Sequence, residues 1–127
     1  MQHNHLFEYA VIRIVPRVER EEFLNAGVIL YCSKLNFLRA KFQVNHERLG
    51  AFCKDLDINE LTENLRALEH ISIGGPGSGP IGRLDAAARF RWLTATRSTV
   101  VQTSKVHPGF CQDPLETLDR LFSQLVL

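Results

Sequence analysis

A chain of 127 residues, 45% hydrophobic and 23% charged, suits one domain that buries roughly two-thirds of its unfolded surface without disulfides. Its 15 Lys+Arg against 14 Asp+Glu leave a net charge of +1, which excludes the strong basic excess of a general nucleic-acid coating protein. The polar start MQHNH lacks the apolar core of a secretory signal, and no apolar run approaches the roughly 20 residues that span a bilayer. The three cysteines, Cys32, Cys53 and Cys111, form no C-x-x-C pair. The expectation is a soluble, cytoplasmic protein with reduced thiols.

In chain order, residues 1–6 are expected to be a flexible tail. FEYAVIRIV (residues 7–15) predicts a strand buried on both faces and therefore central, ended by Pro16. Arg13 is the anomaly within it, because a charge buried alone is costly. RVEREEFLNAG predicts a short helical turn or exposed loop, which Asn25 and Gly27 would close by tolerating positive φ. AGVILYC (residues 26–32) and the alternating Phe37–Val44 predict a hairpin around Ser33–Asn36.

Asn45 is placed to cap a helix with the stripe Leu49, Phe52, Cys53, Leu56. Asp57 or Asn59 starts a second, with Leu61, Leu65 and Leu68 inward. GGPGSGPIG (residues 74–82) holds five glycines and two prolines and predicts a loop. Ala86–Leu93 fits a helix or a short strand equally well. Ser98–Gln102 predicts a strand, and His107-Pro108-Gly109 a turn. Asp113, Pro114 and Glu116 open a C-terminal helix striped by Leu115, Leu118, Leu121, Phe122 and Leu125. The predicted class is α+β: one domain over 1–127, with an antiparallel sheet of about four strands and helices mainly on one face.

Gly77-x-Gly79-x-x-Gly82 spells the dinucleotide fingerprint as a string. A helix precedes it where a strand is required, and Pro80 interrupts it. A near-P-loop fails likewise, since Arg83-Leu84 stands where Lys-Ser/Thr would grip phosphate and magnesium. Neither supports a nucleotide cofactor, and none is expected. His3 near the amino terminus, with His46, His70 and His107 isolated, gives no zinc-site spacing and no expected metal. His107 as a base for Ser98 or Thr99 lacks any feature that fixes the geometry.

From Arg83 to Lys105 there are five basic residues and one acid, Asp85. Arg89, Arg91, Trp92, Arg97, Ser98 and Thr99 form a strip in which arginine forks suit phosphate or carboxylate and the indole offers a stacking face. The competing reading puts the arginines on a solvated face, with Phe90 and Trp92 in the core. Glu19, Glu21 and Glu22 read as a solvated charge run that could also pair with the strip.

The stretches YAVIRIVPRVEREEFLNAGVILYC, ARFRWLTATRSTVVQTSKVHPG and DPLETLDRLFSQLV cover most of the chain. Together they resemble the domain-of-unknown-function 3037 (DUF3037) family of small bacterial proteins. The resemblance implies a single soluble domain without an assigned reaction. Members are often encoded beside HipA-like protein kinases, which implies a protein partner or regulator role. No catalytic residues carry over. The matching positions to inspect are Glu22, Asn25, Gly27, Arg89, Arg91, Trp92, Arg97, Ser98 and Thr99; Arg13, the charge within the central strand, joins them as a candidate from the residues alone.

The leading expectation is a non-enzymatic interaction module that binds a protein partner, in keeping with Arg and Trp as interface anchors. The alternative is a small enzyme or sensor that holds a phosphorylated or nucleotide-like anion through Arg89, Arg91 and Arg97. Last comes a nucleic-acid-associated toxin–antitoxin or defence factor. An enclosed pocket with convergent donors favours a ligand. A flat strip beside exposed apolar residues favours a partner.

Overall fold

The β-branched run near the start does form the central strand. β1 (His5–Ile14) pairs on one side with β2 (Leu24–Cys32), which pairs with β3 (Phe37–Phe42). On its other side it pairs with both β4 (Val101–Thr103) and β5 (His107–Cys111). The computed structural model describes residues 4–95 and 99–127; among these, five strands form one antiparallel sheet. The helices are α1 (His46–Phe52), α2 (Ile58–Ile73), the single turn α3 (Gly79–Gly82), α4 (Ala86–Leu93) and α5 (Pro114–Leu125). The fold is α+β.

β1 divides the core because its side chains alternate. Ala10, Ile12 and Ile14 face a cluster with Leu49 of α1, Leu61, Leu65 and Leu68 of α2, and Phe90 and Leu93 of α4. Phe7, on the other face, joins Val28, Leu30 and Cys32 with Leu118, Leu121 and Phe122 of α5. Most helices thus share one face, and α5 alone covers part of the other. Lys41 of β3 is exposed beside α5, with Nζ 3.1 Å from Asp119 and 4.8 Å from the Phe122 ring.

The predicted start signals Asn45, Asp57 and Asp113 act as expected, and Asp85, not named in advance, adds a fourth. Asn45 accepts a hydrogen bond from the Arg48 amide, Asp57 from Glu60, Asp85 from Ala88, and Asp113 from Leu115 and Glu116. Leu115 leaves the predicted stripe and is 54% exposed. Pro114 and Thr117 take the inward positions of that first turn.

Four expectations are corrected. His5 and Leu6 are not tail but strand, opposite Cys111 and Phe110. Asn25 and Gly27 do not close the β1–β2 turn. Glu21 does so with φ 58°, after the short turn Val18–Arg20, and both residues belong to β2. Gly27 is needed for closeness instead: a Cβ there would lie 2.4 Å from the Lys41 carbonyl oxygen. His107-Pro108-Gly109 is strand rather than turn. Proline is tolerated because β5 is an edge strand, and Gly109 lets the Phe7 ring lie across its backbone. Of the strand predicted at Ser98–Gln102, Ser98 lies outside the described residues, Thr99 and Val100 precede the strand, and β4 runs over Val101–Thr103.

β4 and β5 form one edge interrupted by a bulge. Ser104 faces Val11 and His107 faces Tyr9, so Lys105 and Val106 both fall opposite Ala10. The Ser104 hydroxyl fills the break: the Val11 amide donates to Oγ at 2.8 Å, and the Ser104 amide donates to the Val11 carbonyl at 2.8 Å. Ser104→Ala removes the acceptor from a buried amide. It is expected to destabilise the domain by about 1–3 kcal/mol, read from urea unfolding, with amide exchange at Val11 accelerated.

Candidate functional site

The ambiguous segment after the glycine loop is a helix. Its 100° step sends the four residues Arg89 to Trp92 in four directions, where a strand would have sorted them into two. Phe90 enters the core and stacks on Tyr31 with ring centroids 5.3 Å apart. Arg91 is exposed, and Trp92 is 40% exposed. The two aromatics therefore part: one is core and the other borders solvent.

Arg89 points back toward the end of α2. Its Nη1 donates to the carbonyls of Ile71 and Ser72 at 2.9 and 2.7 Å, and its Nε donates to Leu84 O at 3.0 Å. A cation on carbonyls that a helix leaves without amide partners is a C-terminal cap. Gly74, with φ 80°, allows it: a Cβ there would meet the guanidinium at 2.6 Å. The residue read as an anion clamp is thus the tie that joins α2, the glycine loop and α4.

Trp92 borders a groove of about 650 Å³ between α2, α4 and β4. Ala67, Leu68 and Ile71 form the α2 wall; Leu93, Val100 and Val101 form much of the rest, with Thr99 at the rim. The groove is open and mostly apolar. The Thr99 hydroxyl donates to Val101 O at 2.8 Å and so shapes the entry to β4. Arg97 and Ser98, both named in the predicted strip, lie outside the described residues. Past Asn64 and Val100 the groove continues into a cleft of about 330 Å³, lined among others by Arg17, Asp57, Glu60 and Asn64.

The other predicted residues do not converge on this groove. Arg13 sits on the α5 face of β1, with its guanidinium 4.0 Å above the Phe23 ring. This cation–π contact answers the charge anomaly, although Nε keeps no hydrogen-bond partner. Asn25, opposite Arg13 in the register, donates from Nδ2 to Leu125 O at 3.0 Å. It ends α5 as Arg89 ends α2. Glu22 pairs with Arg20 at 2.5 Å on the surface, an arrangement worth little in water.

His107 packs against Tyr9 with centroids 5.4 Å apart, whereas Thr99 lies just before Val101, the partner of Ile14. Tyr9 and Ile14 are five positions apart on β1, about 17 Å at strand rise. Thr99 and His107 are therefore not a base–nucleophile pair. Burial pushes the Cys111 thiol above its ordinary value, and the neighbouring Cys32 adds to the effect. Such a thiol is a poor nucleophile at neutral pH. Among the described residues no group of three or more His, Cys, Asp or Glu side chains could hold a metal ion.

The sequence pattern missed the α2 wall, since the inward stripe Leu61, Leu65, Leu68 drew attention from Ala67 and Ile71 beside it. Two apolar residues just off a complete stripe are the available signal that a helix has a second apolar neighbour.

No curated protein and no solved structure matches the chain. Among the described residues no helix is long and apolar enough to cross a membrane. The model of one family, described as a protein of unknown function (DUF3037), matches residues 9–126. With nearly the whole domain covered, from the middle of β1 to the end of α5, the chain belongs to the DUF3037 family.

Proposed function

We propose that this domain is a non-enzymatic interaction module that docks a segment of a protein partner in the groove between α2, α4 and β4. The observation that carries the reading is Trp92, 40% exposed, at the border of an open groove walled by Ala67, Ile71, Val100 and Val101. A large aromatic beside an apolar trough is the usual make-up of an interface anchor. An anionic ligand would need several convergent donors. Here Arg89 is engaged with backbone carbonyls, which weakens the alternative of an arginine clamp.

The three free thiols fit work in the reducing cytoplasm. The first partner to test is a HipA-like protein kinase, the type that the family resemblance suggests. In a two-protein binding assay with such a kinase, wild type is expected to bind. Trp92→Ala should weaken binding at least tenfold, since anchor truncation costs about 2 kcal/mol or more. Arg91→Ala should have a smaller effect. If Trp92→Ala binds as wild type does, the groove is not the docking site. Failure of the kinase alone, with a different protein bound in a Trp92-dependent manner, would replace the partner and keep the module.

A further inference from the structure

We infer that the partner segment is apolar at one end and cationic at the other. This rests on the docking reading above and names the chemistry of what docks. The groove is not uniform along its length. At the Trp92 end its α2 wall is Ala67 and Ile71. Toward the start of α2 the wall becomes Asn64 and Glu60, and the adjoining cleft adds Asp57 and Asp55.

The charged groups lining that cleft are Arg17 on one side and Asp55, Asp57 and Glu60 on the other, one cation against three acids. Among the described residues none of these acids forms an ion pair. Asp57 caps α2 and Glu60 lies in its first turn, where the amino end of a helix favours negative charge. The acidic end therefore rejects a carboxylate or phosphate and favours Lys or Arg.

The spacing follows from the helix. Glu60 and Ile71 are eleven residues apart on α2, about 16 Å at 1.5 Å per residue. A segment that fills the groove carries its cation about three helical turns, or five extended residues, from its apolar anchors. Protein rather than nucleic acid is the occupant, because the acidic end repels phosphates.

The test is selection of random peptides from a display library on the wild-type domain, followed by fluorescence anisotropy with the synthesised, labelled peptides. Selected peptides are expected to combine apolar residues with Lys or Arg at one end. Their affinity should fall about fivefold or more with the double variant Asp57→Asn/Glu60→Gln, the size of losing two exposed pairs. Asn retains the helix cap, so the fold is preserved. Replacing the peptide's Lys or Arg with Gln should remove the difference between wild type and variant. Ala67→Gln, which narrows the trough without adding charge, should weaken every selected peptide.

Two failures are distinguishable. Peptides that bind in an Ala67- and Trp92-dependent manner, but equally to the double variant, overturn the cationic partner and leave the docking groove standing. Peptides insensitive to Ala67→Gln and Trp92→Ala overturn both.

Discussion

Arg89→Met is expected to lower stability by about 2–3 kcal/mol, roughly 10 °C in Tm for a domain of this size. Methionine keeps most of the aliphatic volume but leaves the Ile71, Ser72 and Leu84 carbonyls without the donors that now reach them at 2.7–3.0 Å. Hydrogen bonds from a charged donor are the stronger kind, about 1.5–3 kcal/mol each before coupling. Three that share one side chain do not add independently. Arg89→Lys should recover only part of the loss, because a single ammonium cannot reproduce a fork bonded at both Nε and Nη1. Arg91→Met, one residue pair along the same helix but exposed, should change stability by less than about 0.5 kcal/mol. Equal, small effects of the two substitutions in urea unfolding would refute the capping role and return Arg89 to the list of available anion ligands.

Gly27→Ala is the second substitution with a large expected effect, about 3 kcal/mol, and it adds one methyl group. A Cβ at Gly27 would lie 2.4 Å from the Lys41 carbonyl oxygen and 2.9 Å from Phe42 Cβ. Both belong to β3, so relief requires the β2–β3 ladder to open where Gly27 faces Phe42. Overpacking against backbone is destabilising because no rotamer change removes it. Gly109→Ala provides the contrast. Its Cβ would meet the tip of the Phe7 ring at 2.6 Å, a side chain that can tilt, so the expected loss is smaller, about 1–2 kcal/mol. Thermal unfolding of the two variants should rank them in that order. The reverse order would mean that β3 is not held against Gly27 as described.

The roles of Arg89 and Gly27 were both hidden in the sequence, in contrast to the helix starts. Three helix starts were readable, since Asn45, Asp57 and Asp113 each cap their own helix through a side chain only two or three residues from the amide it bonds; Asp85 does the same for α4 but was not singled out, because Ala86–Leu93 fitted a strand as well. The ends were not readable. α2 is closed by Arg89 and α5 by Asn25, residues distant in sequence whose partners no local pattern contains. Arg89 in particular looked like part of an arginine–tryptophan strip, and only the direction of its side chain separates a cap from a clamp.

What the sequence by itself determined is the order and kind of most elements, the central position of β1, the α+β class and the family. All but the family rest on periodicity, capping residues and β-branched runs, carried by neighbours in the chain; the family rests on the resemblance of three long stretches. Tertiary structure alone decided three things. It made His107–Cys111 a strand, because an edge beside β1 accepts Pro108 and the Phe7 ring covers Gly109. It split Phe90 from Trp92 by coiling Ala86–Leu93 into a helix. It also brought the α2 wall of Glu60, Asn64, Ala67 and Ile71 against β4 to form the groove. Each of these depends on packing between segments far apart in sequence, where burial and cross-strand contact outweigh local preference.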